Sequence, residues 1–153
     1  MTTRVTLAQL ADMSGADLGS TAWRTIDQDR VDRFAAAAGD EQWIHTDPVR
    51  AKDGPFGTTI AHGYLTLALV IPMFAELLET DAGTKLNYGL NRVRFPAPVP
   101  VGSRIRLSAT LDEVTEIPGG LQIIFDAVVE IEGPAKPGCV AQPVFRFYSQ
   151  ESS

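Results

Sequence analysis

Asp40 and His45 have side chains suited to acid-base chemistry, and their spacing of five residues can be tested against backbone geometry. An imidazole changes protonation near neutral pH, and a carboxylate beside it can orient the ring or take a proton itself. Five residues of α-helix turn the chain by about 500°, which leaves the two side chains about 140° apart. In a strand, an odd separation sends them to opposite faces. The pair can act together on a bound water only if the chain turns between them.

The residues around this pair supply such a turn. Gly39 can end a helix in the left-handed conformation, and Asp47-Pro48 can cap and begin another helix. The sequence therefore predicts that Asp40 and His45 lie on a connector between two helices. A purely structural interpretation stays open, in which Asp40 terminates a helix and His45 is a hydrogen-bonded core residue.

His62 and Gly63 begin the longest apolar segment of the chain. Free N–H groups at a helix N-terminus can stabilise negative charge on a carbonyl oxygen, and glycine lets a ligand approach the backbone closely. Close helix-sheet packing is the alternative for Gly63, and we favour a capping or buried hydrogen-bonding role for His62. His45 and His62 lie 17 residues apart with no HxxxH motif or Cys partner, so we expect no metal site.

Two longer helices are predicted on either side of this region. The first follows Asp27 and presents one apolar face, made by Val31, Phe34, Ala35 and Ala38. The second covers residues 60–80 and is apolar around nearly its whole circumference, which predicts a buried helix, with a kink or break at Pro72. A short helix within residues 5–18 and a short strand within residues 21–26 are predicted before them.

Four strand-like segments follow, separated by turns rich in proline and glycine, at residues 85–94, 104–114, 121–132 and 139–148. Apolar and polar residues alternate along the second and third, which predicts one apolar face. Only the helix beginning near Gly63 is long and apolar enough to cover that face. We therefore predict an α+β fold, in which an antiparallel β-sheet wraps around a long central α-helix within a single domain, residues 1–153.

Composition restricts which partners and which cellular compartment are expected. The net charge of −6 argues against nucleic acid or an anionic membrane as the main partner, because both require a basic face. The single Cys139 excludes an intrachain disulfide and, with no signal-like N-terminal segment, indicates a cytoplasmic protein. We interpret Cys139 as a small core residue rather than a reactive thiol. Pro72 and the glutamates near it leave too short an apolar run for a membrane span.

Two segments carry a family resemblance. FAAAAGDEQWIH and IAHGYLTLAL, in this order and spacing, resemble the signature of the MaoC-like dehydratases, the (R)-specific enoyl-coenzyme A hydratases of hot-dog fold. The QWIH variant and the downstream NYGLNRVRFPAPVPVGSRIR look most like the nodulation-protein-N-like branch. Gln42-Trp43 stands where the more common family string has Asn-Pro, which affects how the connector is braced or how the pocket is shaped.

The resemblance implies a hydro-lyase of fatty acid metabolism, which reversibly adds water in syn geometry to trans-2-enoyl-CoA and forms (R)-3-hydroxyacyl-CoA. By this resemblance, Asp40 and His45 are the catalytic dyad, and the backbone N–H of Gly63 is the oxyanion donor. Arg92 and Arg94, just before the FPAPVPVG turn, are candidate partners for the phosphates of coenzyme A, with surface salt bridges as the alternative. No metal or redox cofactor is implied, and a homodimer is expected.

Other functions are weighed against this one. Hot-dog thioesterases generally carry an acidic residue on the opening turns of the central helix, whereas the first acid after Gly63 is Glu76. A non-catalytic acyl-thioester-binding module, or a structural subunit of a heteromeric dehydratase, has no need of both Asp40 and His45. The hydratase is therefore favoured. The acyl chain length, the carrier (coenzyme A or acyl carrier protein) and the assignment of base and acid within the dyad stay open.

Overall fold

A computed structural model describes residues 1–151 of the chain. Its strands and helices are, in chain order, β1 (Thr3–Val5), α1 (Leu7–Leu10), β2 (Asp17–Ser20), β3 (Arg24–Thr25), α2 (Gln28–Ala38), α3 (Trp43–Thr46), α4 (Pro48–Ala51), α5 (Gly63–Leu77), β4 (Leu78–Thr80), β5 (Thr84–Arg94), β6 (Arg104–Ile117), β7 (Gly120–Ile131) and β8 (Cys139–Tyr148). None of the described helices is long and apolar enough to cross a membrane.

The main sheet is antiparallel, with the strand order β2-β6-β7-β8-β5 and with β3 paired to β6 as well. Buried and less buried residues alternate along β6 and β7, as the sequence pattern predicts for strands with one apolar face. The helix α5 packs on that face. The ring of Phe74 stacks on Phe125 with centroids 4.0 Å apart and meets Phe145 edge-on at 5.5 Å. The predicted architecture of a sheet wrapped around a central helix is confirmed.

The ends of α5 differ from the prediction, and of the two outcomes predicted at Pro72, a kink or a break, the break does not occur. The helix runs through Pro72 without a break and ends at Leu77, and residues 78–80 form a strand that pairs in parallel with β1. Proline removes one helical hydrogen bond and leaves the carbonyl of Ala68 without its donor. Both Ala68 and Pro72 lie on the exposed side of α5, where water can bind that carbonyl. The missing bond is therefore tolerated there.

The prediction that α5 is buried on all sides is wrong for the single chain. Tyr64 is 74% exposed and Ile71 41% exposed, because the sheet covers only one side of the helix. The neighbouring edge strand β5 is exposed along nearly its whole length. We call the exposed apolar side chains of α5 and β5 the open face; they are Tyr64, Ile71, Leu86, Tyr88 and Leu90.

The N-terminal region is also less helical than predicted. Within residues 5–18 only Leu7–Leu10 is helical, and the flanking segments contribute β1 and β2. Both strands have at most four residues and pair with partners far along the chain, β4 and β6. Such short segments have no periodic pattern of their own, so their pairing is decided by tertiary contacts.

Candidate functional site

The connector, residues 39–62, contains the helix end and the helix start that the sequence predicts. Gly39 ends α2 with φ of 75°, in the left-handed region, and Asp47 caps α4 by accepting a hydrogen bond from the N–H of Arg50, with Pro48 as the first helical residue. Between them, the single-turn helix α3 carries His45, an element too short to be predicted. The turn that Asp40 and His45 require is present.

His45 is buried and held in one orientation. Its Nδ1 lies 2.7 Å from the backbone oxygen of Ile60, and the side chain is only 7% exposed. A carbonyl oxygen can only accept, so Nδ1 donates this bond and carries the proton. In the neutral ring Nε2 is therefore the nitrogen with a free lone pair, able to accept a proton or bind a water.

Two further side chains, Gln28 and Thr59, brace the backbone of His45. The amide Nε2 of Gln28 donates to the carbonyl oxygen of His45 at 2.7 Å, and Thr59 donates its hydroxyl proton to Gln28 Oε1 at 2.7 Å. Thr59 is 2% exposed, so this short chain of hydrogen bonds is largely shielded from water. Sequence reasoning missed both residues, because no motif or periodicity in a single sequence distinguishes them from other polar side chains.

His62 lies directly against the pair. Its Nε2 donates to the backbone oxygen of Asp40 at 2.8 Å, and its ring stacks on that of His45, with centroids 3.8 Å apart and planes at 23°. His62 occupies the N-cap position of α5 but makes no side-chain capping bond, and it is 3% exposed. Of the two roles favoured from sequence, the buried hydrogen-bonding role is confirmed and the capping role is wrong.

Asp40 joins this cluster through its exposed side chain. One carboxylate oxygen of Asp40 and one nitrogen of each imidazole all lie within 4.8 Å of one another. A water with two hydrogen bonds of about 2.8 Å can bridge such a gap. The same three groups are poorly arranged for a metal. Lone pairs of stacked rings lie in nearly parallel planes, so both imidazoles cannot converge on one ion at bond lengths of about 2.0 Å.

A cavity of about 320 Å³ lies beside this cluster. It is lined by His45, Phe56, Ile60, Ala61, Gly63, Thr66, Phe95, Ala97, Pro98, Val99 and Gly138. Its wall is mostly apolar, and His45 and Gly63 both contribute to it. Gly63 is the first residue of α5, where N–H groups have no intrahelical acceptor. A Cβ at Gly63 would come within 3.0 Å of the Phe95 ring, so only glycine fits under that ring without displacement.

Arg92 and Arg94 are not part of the cavity wall. Both are exposed on the edge strand β5, and Arg94 directly precedes Phe95, which does line the cavity. The alternative of surface salt bridges finds no support within residues 1–151, where neither side chain pairs with a carboxylate. Arg94 instead donates to the carbonyl oxygen of Val93 at 2.7 Å.

Cys139 lies in the core at the start of β8, with none of its surface exposed. Burial raises the pKa of its thiol to about 11, because the thiolate would lose its hydration there. The thiol is therefore uncharged at neutral pH and poorly nucleophilic. This agrees with the interpretation of Cys139 as a core residue.

Known proteins similar to this chain include curated dehydratases. The model of the MaoC-like domain matches residues 10–124. The 3-hydroxyacyl-thioester dehydratase Z of Mycobacterium tuberculosis is 51% identical over 150 residues, which are 96% of this chain and 99% of the relative. Nodulation protein N of Rhizobium leguminosarum bv. viciae is 41% identical over 144 residues, covering 90% and 88% of the two chains.

Solved structures agree on the fold. An (R)-hydratase from Pseudomonas aeruginosa superposes with a TM-score of 0.73 at 22% identity, covering 92% of this chain and 87% of that one. The similarity confirms the hot-dog fold, and the dehydratase relatives support a hydro-lyase. The family model, the two relatives and the antiparallel sheet around α5 agree, and the chain belongs to the MaoC-like dehydratase family, with relatives in its nodulation-protein-N branch.

Proposed function

We propose that this protein is an (R)-specific 2-enoyl-CoA hydratase. It adds water in syn geometry to a trans-2-enoyl thioester and forms the (R)-3-hydroxyacyl thioester, and it catalyses the reverse dehydration. The observation that carries the proposal is the meeting of three groups: the buried His45 ring, an Asp40 carboxylate oxygen within 4.8 Å of one nitrogen of that ring, and Gly63 at the start of α5 on the cavity wall that His45 shares.

The dyad handles the water and both protons. A water bridging Asp40 and His45 loses a proton to the dyad while its oxygen bonds to C3 of the enoyl group. The C2–C3 double bond electrons move toward the thioester carbonyl and give an enolate. The dyad then returns a proton to C2 on the same face. The protonation of the protein is therefore the same before and after the reaction. The dyad as a unit therefore acts as base in the first step and as acid in the second.

Gly63 stabilises the negative charge that develops on the thioester oxygen. Its N–H lies in the first turn at the positive end of α5, where the helix supplies no acceptor, and the Phe95 ring packs where a side chain at Gly63 would otherwise stand. A single oxyanion donor of this kind contributes about 3 kcal/mol to transition-state stabilisation. The mostly apolar wall of the cavity lowers the local dielectric constant and so strengthens this interaction. The reaction as proposed uses no metal or redox cofactor.

Coenzyme A is the proposed carrier of the acyl group. Arg92 and Arg94 are exposed and lack carboxylate partners within residues 1–151, so their guanidinium groups are available to phosphates. Their place on β5, immediately before Phe95, lies next to the cavity. Charge-assisted bonds from arginine to phosphate are among the stronger polar contacts available at an exposed site.

A homodimer is proposed as the active form. Within residues 1–151, β5 is the last strand of the sheet and its outer edge is unpaired, and an apolar groove of about 370 Å³ runs between it and α5. Tyr64, Ile71, Tyr88 and Leu90 of the open face line this groove. A second copy of the chain would extend the sheet across the β5 edge and bury those side chains.

The test is direct hydration of trans-2-enoyl-CoA thioesters of short, medium and long chain. The reaction is monitored through the loss of the absorbance of the conjugated thioester. We expect turnover by the wild-type protein and a loss of about 10³-fold in kcat for Asp40→Asn and for His45→Gln. Chiral analysis of the product should give the (R) isomer.

Two results would overturn the proposal. The first is absence of turnover with every chain length by the folded wild-type protein, which would favour a non-catalytic subunit. The second is full activity in either folded variant. Release of free coenzyme A thiol would instead identify a thioesterase. The same series with acyl carrier protein thioesters tests the carrier.

A further inference from the structure

The second histidine of the chain, His62, contacts both members of the proposed dyad. Neither His62 nor Asp40 lines the cavity, but Asp40 is exposed whereas His62 is buried. It is 3% exposed, and its Nδ1 has no hydrogen-bond partner within residues 1–151. A buried N–H without an acceptor is costly, so Nδ1 is assigned as the unprotonated nitrogen and Nε2 as the donor to Asp40. His62 therefore has no route to the substrate and cannot serve as its acid or base.

The first contact of His62 holds the backbone of Asp40. The N–H of Asp40 donates to the carbonyl oxygen of Ala35 at 3.1 Å, and its own carbonyl oxygen accepts from His62 Nε2 at 2.8 Å. The Asp40 side chain itself is exposed and makes no hydrogen bond within the described residues. Its direction is therefore set by the backbone, and His62 is the residue that ties this backbone to the start of α5.

The second contact holds the ring of His45. The hydrogen bond from Nδ1 to Ile60 fixes one point of the imidazole but allows the ring to tilt about that bond. Stacking against His62, with centroids 3.8 Å apart, restricts the tilt. The two restraints together set the direction in which His45 Nε2 points.

We propose that His62 is a positioning residue that sets the distance between the Asp40 carboxylate and His45 Nε2, and hence the position of the reacting water. This inference rests on the proposed hydratase function. The reacting groups must be held in a productive geometry, and a displacement of about 1 Å can lower a rate by about 10²-fold. Loss of His62 should lower kcat and leave the substrate KM almost unchanged.

The two contacts can be separated by substitution. His62→Phe keeps a flat ring against His45 but removes the donor to Asp40, and His62→Gln keeps an amide donor but removes the ring. We expect each to lower kcat by about tenfold with KM within about twofold, and His62→Ala to lower kcat by about 10²-fold or more. A folded His62→Phe with wild-type kcat would overturn the proposal for the hydrogen bond, and a folded His62→Gln with wild-type kcat would do so for the stack.

A double-mutant cycle tests whether His62 acts through Asp40. In the Asp40→Asn background, His62→Phe should have less than a twofold further effect on the residual rate, because the group that it positions is already disabled. A full tenfold effect in that background would show that His62 acts elsewhere and would overturn the proposal.

Nitrogen NMR of the imidazoles separates this inference from the proposed reaction, because it requires no activity. The chain has only two histidines, so the spectrum contains two rings. We expect one ring protonated at Nδ1, assigned to His45, and one at Nε2, assigned to His62. In His62→Ala the remaining His45 ring should keep its proton on Nδ1, because Ile60 still accepts it, but its Nε2 and ring-carbon lines should broaden because the ring is free to tilt. A His45 signal unchanged from wild type in that variant would overturn the positioning role, whether or not the protein hydrates enoyl thioesters.

Discussion

The connector and the open face differ in the burial and the pairing of their side chains. In the connector, both imidazole rings are buried and hydrogen-bonded within the chain: the His45 ring donates to Ile60, the His62 ring donates to the Asp40 carbonyl, and Gln28 donates to the His45 carbonyl. On the open face, large apolar side chains are exposed beside the outer edge of β5, which pairs with no other strand of the described part of the chain. The geometry of the candidate site is thus built inside one chain, whereas the open face is left uncovered within residues 1–151. Connector variants should change kcat, and open-face variants should change assembly.

The largest effect is expected at the junction between the connector and α5. Gly63→Ala places a Cβ within 3.0 Å of the Phe95 ring and narrows the approach to the N–H. We expect kcat for enoyl-CoA hydration to fall by about 10²-fold to 10³-fold, the loss typical of one oxyanion donor. The oligomeric state should not change, and steady-state kinetics with analytical ultracentrifugation measures both.

The control for Gly63→Ala is Phe95→Leu, alone and combined with it. The smaller side chain relieves the clash without restoring a glycine at position 63. If the double variant regained wild-type kcat, the effect of the alanine would be displacement of Phe95 and not loss of access to the N–H. This result would contradict the oxyanion role of Gly63.

Substitutions on the open face should change the oligomeric state, which Gly63→Ala leaves unchanged. Ile71→Glu places a charge in the apolar groove between α5 and β5, where burial without a partner is costly. We expect the dimer dissociation constant to rise by about 100-fold, measured by sedimentation over a range of protein concentrations. Ala36→Glu, on the exposed side of α2, is the matched control and should leave assembly unchanged. A wild-type protein that sediments as a monomer at high concentration would refute the dimer.

The same comparison explains which parts of the fold could be predicted from sequence. Strands β6 and β7 alternate over most of their length, and this pattern alone predicts them and their apolar face. The composition of α5 is apolar around its circumference, but a sequence does not record which side its own sheet will cover. The exposure of Tyr64 and Ile71 was therefore not predicted. The apolar side chains that α5 leaves exposed are the ones that the proposed second copy of the chain would cover.

The candidate site was predictable to a different extent. The spacing of Asp40 and His45 required a turn, and the glycine and Asp-Pro signals placed it correctly. The resemblance supplied roles for Asp40, His45 and Gly63, which stay predictions. Gln28, Thr59 and the contact between His62 and Asp40 were missed. These contacts join residues 17 to 31 positions apart through single hydrogen bonds, which leave no periodic trace in a sequence.

A moderate effect is expected where the connector is braced. Gln28→Leu removes the donor to the His45 carbonyl, which costs about 1–3 kcal/mol of unfolding free energy for an unsatisfied buried group. We expect kcat to fall by about tenfold because the backbone that carries His45 is released. Thr59→Val removes only the bond to Gln28 and should have a smaller effect on both quantities. Urea unfolding and kinetics measure them together, and a loss of stability with unchanged kcat would limit the brace to folding.

The smallest effect is expected at Arg94, on the border between the open face and the cavity. Arg94→Ala should raise KM for enoyl-CoA by about fivefold, the loss of one exposed charge-assisted contact, and leave kcat unchanged. An N-acetylcysteamine thioester of the same acyl chain lacks the phosphates, so its KM should not respond. Arg33→Ala, which removes an exposed arginine paired with Asp29 on α2, is the control. Equal changes in KM for both thioesters would mean that Arg94 shapes the mouth of the cavity and does not bind the carrier.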